Sequence, residues 1–184
     1  MGASDDEDRA LLRAWGSGDA RAGDVLMRRF FPALWRYFRN KVDRDADDLI
    51  QSTLAACVRH RDKLTEAVSV RAYLFSIARH ELYGHLRSRP DFDPLTHSVA
   101  ASRTSPSSAA AARDAKARLR EALRGLPCVL QETVELHLDE ELRGPELAEA
   151  LGVPEGTVRS RLRRAKSMLI EQLGDAAPAL AEGG

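Results

Sequence analysis

The sequence predicts an all-α protein of two small helical units, residues 9–89 and 114–173, joined by a flexible linker at 90–113. Three observations carry this. Apolar residues recur at three-to-four spacing along most of the chain and nowhere alternate over the length of a strand. Leu, Ala, Arg and Glu are abundant while aromatics make up only 5%, a mixture that favours helices over strands. The periodicity then stops for 24 residues rich in Ser, Ala and Pro, a stretch too long for a structureless loop inside one compact domain.

Taken in order, residues 1–8 read as a disordered acidic tail. A first helix starts at Arg9, carries Leu11, Leu12 and Trp15 on one face and ends at Gly16-Ser17-Gly18. A second, about Ala20 to Val42, places Val25, Leu26, Phe30, Leu34, Tyr37 and Phe38 on its apolar side, with Pro32 marking a kink or break. A third, about Asp45 to His60, buries Ala46, Leu49, Ile50, Thr53, Leu54, Cys57 and Val58 and turns Asp45, Asp48, Gln51 and Ser52 outward. After a loop at 62–69, a fourth helix from Val70 to Arg87 points Leu74, Ile77 and Ala78 at the core. Beyond the linker come helices over 114–124 and 129–139, a short one ending at Leu151, and a long last one reaching Leu173. Residues 174–184 read as a disordered tail.

The 43% hydrophobic content suffices for packed cores. Net charge is zero, but the total hides segregation: Asp5 to Asp8 is four acids in a row, and Asp43 to Asp48 holds four acids and one Arg. Arg59 to Arg89 has seven Lys/Arg against three acids, and Glu155 to Lys166 has five against one. Local fields of this kind decide what a surface attracts. Cys57 and Cys128 lie far apart in apolar helical patterns and read as buried free thiols. The histidines lack metal-ligand spacing, so neither a metal nor a cofactor is expected. With no signal peptide and no long apolar run, no membrane insertion is expected, and the predicted location is the cytoplasm.

The most informative stretch is PELAEALGVPEGTVRSRLRRAK (Pro145–Lys166). Leu147, Ala148 and Leu151 make a short amphipathic helix, Gly152 supplies the left-handed residue that ends it, and Pro154 suits the start of the next. There Val158, Leu162, Ala165 and Leu169 form a narrow buried stripe. Gly156, Ser160, Arg163, Arg164 and Ser167 centre the opposite side, flanked by Arg159 and Arg161. That is a helix-turn-helix with its second helix built for a major groove, where Arg can grip guanine edges and backbone phosphate. The fourth helix of the first unit carries Arg79, His80, Tyr83 and Arg87 on a wet face, with Arg71 near its start. Interleaved aromatic and basic groups suit single-stranded bases.

In order and spacing these motifs resemble the extracytoplasmic-function group of sigma-70-type sigma factors, over about residues 9–173. DADDLIQSTL (Asp45–Leu54) resembles that family's "AEDLVQEVF" segment, which docks on the clamp helices of the polymerase β′ subunit. SVRAYLFSIARHELYGHLR (Ser69–Arg87) is similar to its "WLxRIAxN" stretch, which melts and reads the −10 element. LAEALGVPEGTVRSRLRRAK (Leu147–Lys166) is similar to its "GTVKSRLxRA" helix, which reads the −35 element.

The resemblance implies roles by position. Asp45, Asp47, Asp48 and Gln51 would contact polymerase. Arg71, Tyr73, Arg79, His80, Tyr83 and Arg87 would face the −10 strand, with a base captured near the Lys63–Val70 loop. Thr157, Arg159, Ser160, Arg163 and Arg164 would face the −35 duplex, with Lys166 on phosphate. It also implies core RNA polymerase (β′ clamp helices and β flap), promoter DNA and an anti-sigma factor as partners. The chain departs from the pattern with Tyr73 for Trp, His80 for Asn, no Phe-Gly in Lys63–Val68, Gly84 inside the fourth helix, and Gly144-Pro145 before the helix-turn-helix. A stand-alone helix-turn-helix regulator is the alternative, for which the linker and the acidic third helix lack a purpose. A helical enzyme would need a catalytic constellation, and no phosphate loop or nucleophile elbow is present.

Overall fold

The computed structural model describes residues 3–42, 44–88, 92–96, 98 and 115–173. Among these the elements are α1 (Ala3–Gly16), α2 (Ala20–Arg39), α3 (Ala46–Arg59), α4 (Arg61–Glu66) and α5 (Val70–Arg87), followed by α6 (Ala115–Arg124), α7 (Cys128–Leu138), α8 (Gly144–Leu151) and α9 (Glu155–Leu173). No strand occurs among the described residues, only an isolated bridge between Ser98 and Pro127. The all-α, two-unit prediction holds. The tail expected over 174–184 and most of the linker lie outside the described residues.

Local chemistry explains the element ends. The Asp19 carboxylate caps α2 by accepting from the backbone N–H groups of Arg21 and Ala22. Ser69 does the same for α5, accepting from Ala72 N at 3.0 Å. Gly152 closes α8 in the left-handed region (φ 63°, ψ 37°), donating its N–H to carbonyls of the preceding turn. The helix α2 runs through Pro32 rather than breaking there. Pro32 is exposed, so the carbonyl it leaves without a donor can be served by water.

Three expectations need correction. Residues 3–8 are the first turns of α1, not a tail. Asp8 is buried and accepts from Arg29 at 2.7 Å, and Asp5 accepts from Arg9 Nε at 2.8 Å and from Val70 N at 3.2 Å. Acids in a first helical turn also lie favourably against the helix dipole. The segment read as a loop over 62–69 contains α4, leaving only Ala67, Val68 and Ser69 as connection. Val25 and Val58, assigned to buried faces, are 50% and 51% exposed, because the apolar stripes of α2 and α3 are narrower than the sequence pattern suggested.

The first unit packs α1, α2, α3 and α5 around Leu26, Phe30, Leu34, Phe38, Ile50, Leu74, Phe75 and Leu82. The second has a core of its own, in which Leu126, Val129, Leu130 and Val134 meet Ala165 and Leu169. The two units also touch. α5 lies along α8, and the first unit's apolar cluster continues into Cys128, Leu136, Leu142, Leu147, Ala150, Leu151 and Val158.

Candidate nucleic-acid interface

On α9 the sequence pattern and the structure agree. Val158, Ala165 and Leu169 are buried, and Leu162 is partly buried between the two cores. Arg159, Ser160, Arg163, Arg164 and Lys166 are all exposed on the far side, with Thr157 half-buried at the helix start. The helix is anchored by Pro154, whose carbonyl accepts from Thr157 N and Val158 N. Ser160 Oγ donates back to Thr157 O, and Ser167 Oγ to Arg163 O, which keeps short polar side chains folded down between the arginines. Arg159 lies 3.9 Å from Glu155 in an exposed pair that a phosphate could displace. The surface is a row of cations on a rigid helix.

The outward side of α3 also forms as expected. Asp47, Asp48 and Gln51 are exposed together, opposite the buried Leu49, Ile50 and Thr53. Asp45 precedes the helix, half-exposed, with its carboxylate 3.3 Å from His85 Nε2.

The face of α5 is different. His80 and Arg87 are exposed and Tyr73 is half-buried. Tyr83, expected on a wet face, is only 4% exposed, and Arg79 is partly covered; this corrects the sequence reading. What covers them is α7. Glu132 receives hydrogen bonds from Arg79 Nε at 3.0 Å, Tyr83 OH at 3.0 Å and Tyr37 OH at 3.4 Å, while the Arg79 guanidinium sits 4.4 Å over the Tyr83 ring. Glu135 pairs with the buried Lys41, whose ammonium also lies 3.8 Å from the Tyr37 ring centre. Glu140 takes Arg36 at 2.7 Å and Arg71 at 2.5 Å.

These glutamates, with Arg36 and Lys41, form a contact between the units that sequence reasoning missed. A Glu among apolar residues on a short helix reads as its wet side, but every residue from Cys128 to Leu136 is buried. No local signal marks the covering, because Gln131, Glu132 and Glu135 share one side of α7 and read as an ordinary wet face. Burial lifts the Glu132 carboxyl above its ordinary range, and Arg79 and Tyr83 pull it back without cancelling the rise. Burial opposes the charge on Arg79, but Glu132 beside it holds the guanidinium above its usual value. The guanidinium is charged in either case, so the cost of burial falls on the glutamate. Desolvation also raises the Tyr37 and Tyr83 hydroxyls and pushes the Cys57 and Cys128 thiols up to about 12.

The loop before α5 is held as well. Arg9 donates to the carbonyls of Ala67 at 3.0 Å and Val68 at 2.6 Å, and Val68 N donates to Glu149 of α8 at 3.0 Å. Among the described residues both cysteines are free and buried, and no group of His, Cys, Asp or Glu could hold a metal ion. No described helix is long and apolar enough to cross a membrane.

Comparison with known proteins agrees with this division. A family model described as Sigma-70 region 2 matches residues 26–90, and one described as Sigma-70, region 4 matches residues 116–169. The chain is 30% identical to the ECF RNA polymerase sigma factor SigL of Mycobacterium tuberculosis over 171 residues, 86% of this chain and 96% of the relative. It superposes on CnrH, solved in complex with the cytosolic domain of CnrY, with a TM-score of 0.68 and 27% identity over 91% of this chain and 97% of that one. It also matches the sigma factor RpoE of Bartonella quintana, solved in complex with the anti-sigma factor NepR. There the TM-score is 0.58 and the identity 25%, over 77% of this chain and 90% of that one.

Proposed function

Because this chain belongs to the extracytoplasmic-function group of sigma-70 RNA polymerase sigma factors, we propose that it docks on core polymerase through α3 and reads a promoter with its two units. The observation that carries the reading is the opposition of two exposed charged surfaces, acidic at Asp47 and Asp48 and cationic along Arg159, Arg163 and Arg164. Asp45, Asp47, Asp48 and Gln51 contact the β′ clamp helices, while the second unit rests on the β flap. The α9 row enters the −35 major groove, with Arg159 and Arg163 on base edges and Lys166 on phosphate.

The −10 element is read as single strand. Arg71 and Arg79 meet the backbone, Tyr73, His80 and Tyr83 meet bases, and Arg87 extends the track. Melting then needs no hydrolysis, since base capture and polymerase contacts offset an unpairing cost of a few kcal/mol. The protein works in the cytoplasm without a catalytic step of its own, and an anti-sigma factor restrains it. The complexes in which the similar structures were solved support that last part.

Mapping transcripts made by core polymerase reconstituted with this chain tests the reading. Initiation from a defined set of promoters is expected, and failure to associate with core polymerase would overturn it. A gel shift with and without core polymerase separates this reading from that of a stand-alone duplex-binding regulator, which binds tightly without polymerase.

A further inference from the structure

The turn between α7 and α8 lies near the first half of α1 and the start of α5. Together they line a cavity of about 520 Å³ at the boundary of the two units. Cavities of this size hold small ligands. We propose that this cavity is a binding site for a small polyamine, whose ammonium groups bridge carboxylates of the first unit and of the second. The site does not depend on how the promoter is read.

The lining is acidic on both sides. Asp5 and Asp8 come from α1, and Asp139, Glu140, Glu141 and Glu146 from the second unit, against two guanidiniums, Arg71 and Arg143. A cleft lined mainly by one sign of charge concentrates ions of the other. Two of the carboxylates are already engaged. Asp5 accepts from Val70 N and Arg9, and Glu140 from Arg36 and Arg71. Asp139, Glu141 and Glu146 form no ion pair among the described residues.

The observation that points to a ligand is Asp8. Its side chain lines the cavity and is 1% exposed. Oδ1 accepts from Arg29 at 2.7 Å, but Oδ2 is buried with no hydrogen-bond partner among the described residues. A buried acceptor without a donor costs free energy, and more when it is charged. An ammonium group in the cavity supplies that donor. Asp139 shows the same shortage at the rim. Burial, then Glu135 and Glu140, raise its carboxyl above the ordinary range, and Arg36 and Lys41 do not cancel the rise.

The chemistry favours an amine over a metal ion. No group of His, Cys, Asp or Glu among the described residues could hold a metal. The carboxylates come from separate elements, where a flexible chain with several ammonium groups can meet them singly. Leu142, buried in the lining, offers an apolar contact to the methylenes between those groups.

An occupied site ties α1 and α5 to the α7–α8 turn, so ligand binding is coupled to the contact between the units. Cys128 reads that contact. It is fully buried at the boundary, 3.9 Å from the Tyr83 hydroxyl, whereas Cys57 is buried on α3 of the first unit.

The full-length chain is titrated with spermidine by isothermal calorimetry at fixed ionic strength. One saturable site per chain is expected. Glu146→Gln in the second unit and Asp8→Asn in the first should each weaken binding about 10- to 100-fold, the worth of one hydrogen bond to a charged group. Butylamine, with a single ammonium group, should bind weaker than spermidine by about the same factor. Asp24→Asn, an exposed carboxylate that does not line the cavity, should leave the affinity unchanged. Spermidine at about ten times its Kd should favour the closed state, in which the units touch. Labelling of Cys128 by N-ethylmaleimide, followed by peptide mass spectrometry, should then slow about tenfold, with Cys57 unaffected. Binding that does not saturate, or that magnesium ion matches at equal charge, would overturn the site. So would an affinity that neither Glu146→Gln nor Asp8→Asn lowers, or Cys128 labelling that saturating spermidine leaves unchanged. If Asp8→Asn unfolds the chain, Glu146→Gln alone decides. None of these results bears on promoter reading, which transcript mapping tests separately.

Discussion

Two surfaces of this molecule are built from the same kinds of residue and treated in opposite ways. The cationic row of α9 is exposed, backed by a narrow stripe of Val158, Ala165 and Leu169. On the basic and aromatic face of α5, Tyr83 is buried and Arg79 partly covered, both bonded to Glu132, while His80 and Arg87 stay exposed. The difference lies in what each helix packs against. α9 meets other elements along one stripe, whereas α5 has α3 on one side and α8 on another, so its buried residues, Val70 through Leu86, span more than one face. An exposed cation keeps its hydration and is available to a phosphate. A covered cation needs a carboxylate from its own chain, and that carboxylate competes with any later ligand.

The comparison is broken most severely from the open side. Asp48 is exposed on α3 and contributes nothing to the core. Charge reversal with Asp48→Arg should abolish association with core polymerase in a pull-down or native gel while leaving the circular dichroism spectrum unchanged and lowering the melting temperature by no more than a few degrees, since Asp48 lies in the first turn of α3. Retained association would remove the acidic face from the proposed docking surface.

On the covered side the largest loss should come from Glu135→Ala. Lys41 is among the largest fully buried side chains, and its ammonium pairs with Glu135. Removing one partner of a buried pair costs about 3–5 kcal/mol, because the other charge stays behind unpaired. Urea denaturation should register that loss. A change under about 0.5 kcal/mol would mean that Lys41 reaches water easily and the boundary is loose, as for an exposed pair.

Arg159→Ala and Arg163→Ala should behave in the reverse manner. Each should weaken binding of −35 duplex by about 1–3 kcal/mol if it contacts base edges, with little effect on stability. A uniform loss across all duplex sequences, accompanied by a shallower salt dependence, would assign that arginine to phosphate instead.

What was legible in the sequence follows the same division. The longer helices of both units, the Gly152 turn and the buried stripe of α9 could be read because each depends on neighbours within a few residues. The exposed row Arg159, Ser160, Arg163, Arg164 and Lys166 is the complement of that stripe, and it follows once the stripe is known. The state of Arg79 and Tyr83 could not be read in this way. It depends on Glu132, 53 residues from Arg79 along the chain, and no local periodicity encodes that distance. The acidic start of the chain misled for a related reason. Asp5 and Asp8 look like solvated tail residues until Arg9, Arg29 and the N–H of Val70 are brought to them. α7 was harder still, because its glutamates sit where a helix against a single layer would be wet.

The smallest predicted effect separates the covered face from the helix that carries it. Ser69 is buried at the start of α5, and its hydroxyl satisfies the Ala72 N–H, one of the donors the helix itself cannot pair. Ser69→Ala leaves that donor without a partner where water has poor access, which should cost about 0.5–2 kcal/mol. For a chain of this size that is a fall of a few degrees in melting temperature, roughly 2–4 °C per kcal/mol. Ser69→Thr keeps the hydroxyl and should recover most of the loss. The informative part is where the loss appears. If α5 is stabilised mainly by its cap and its own unit's core, Ser69→Ala lowers the melting temperature without speeding Cys128 labelling. If Cys128 exposure rises in step with the loss, the start of α5 is itself part of the contact between the units. The Val68–Glu149 hydrogen bond one residue earlier then counts as a hinge of the closed state rather than a surface contact.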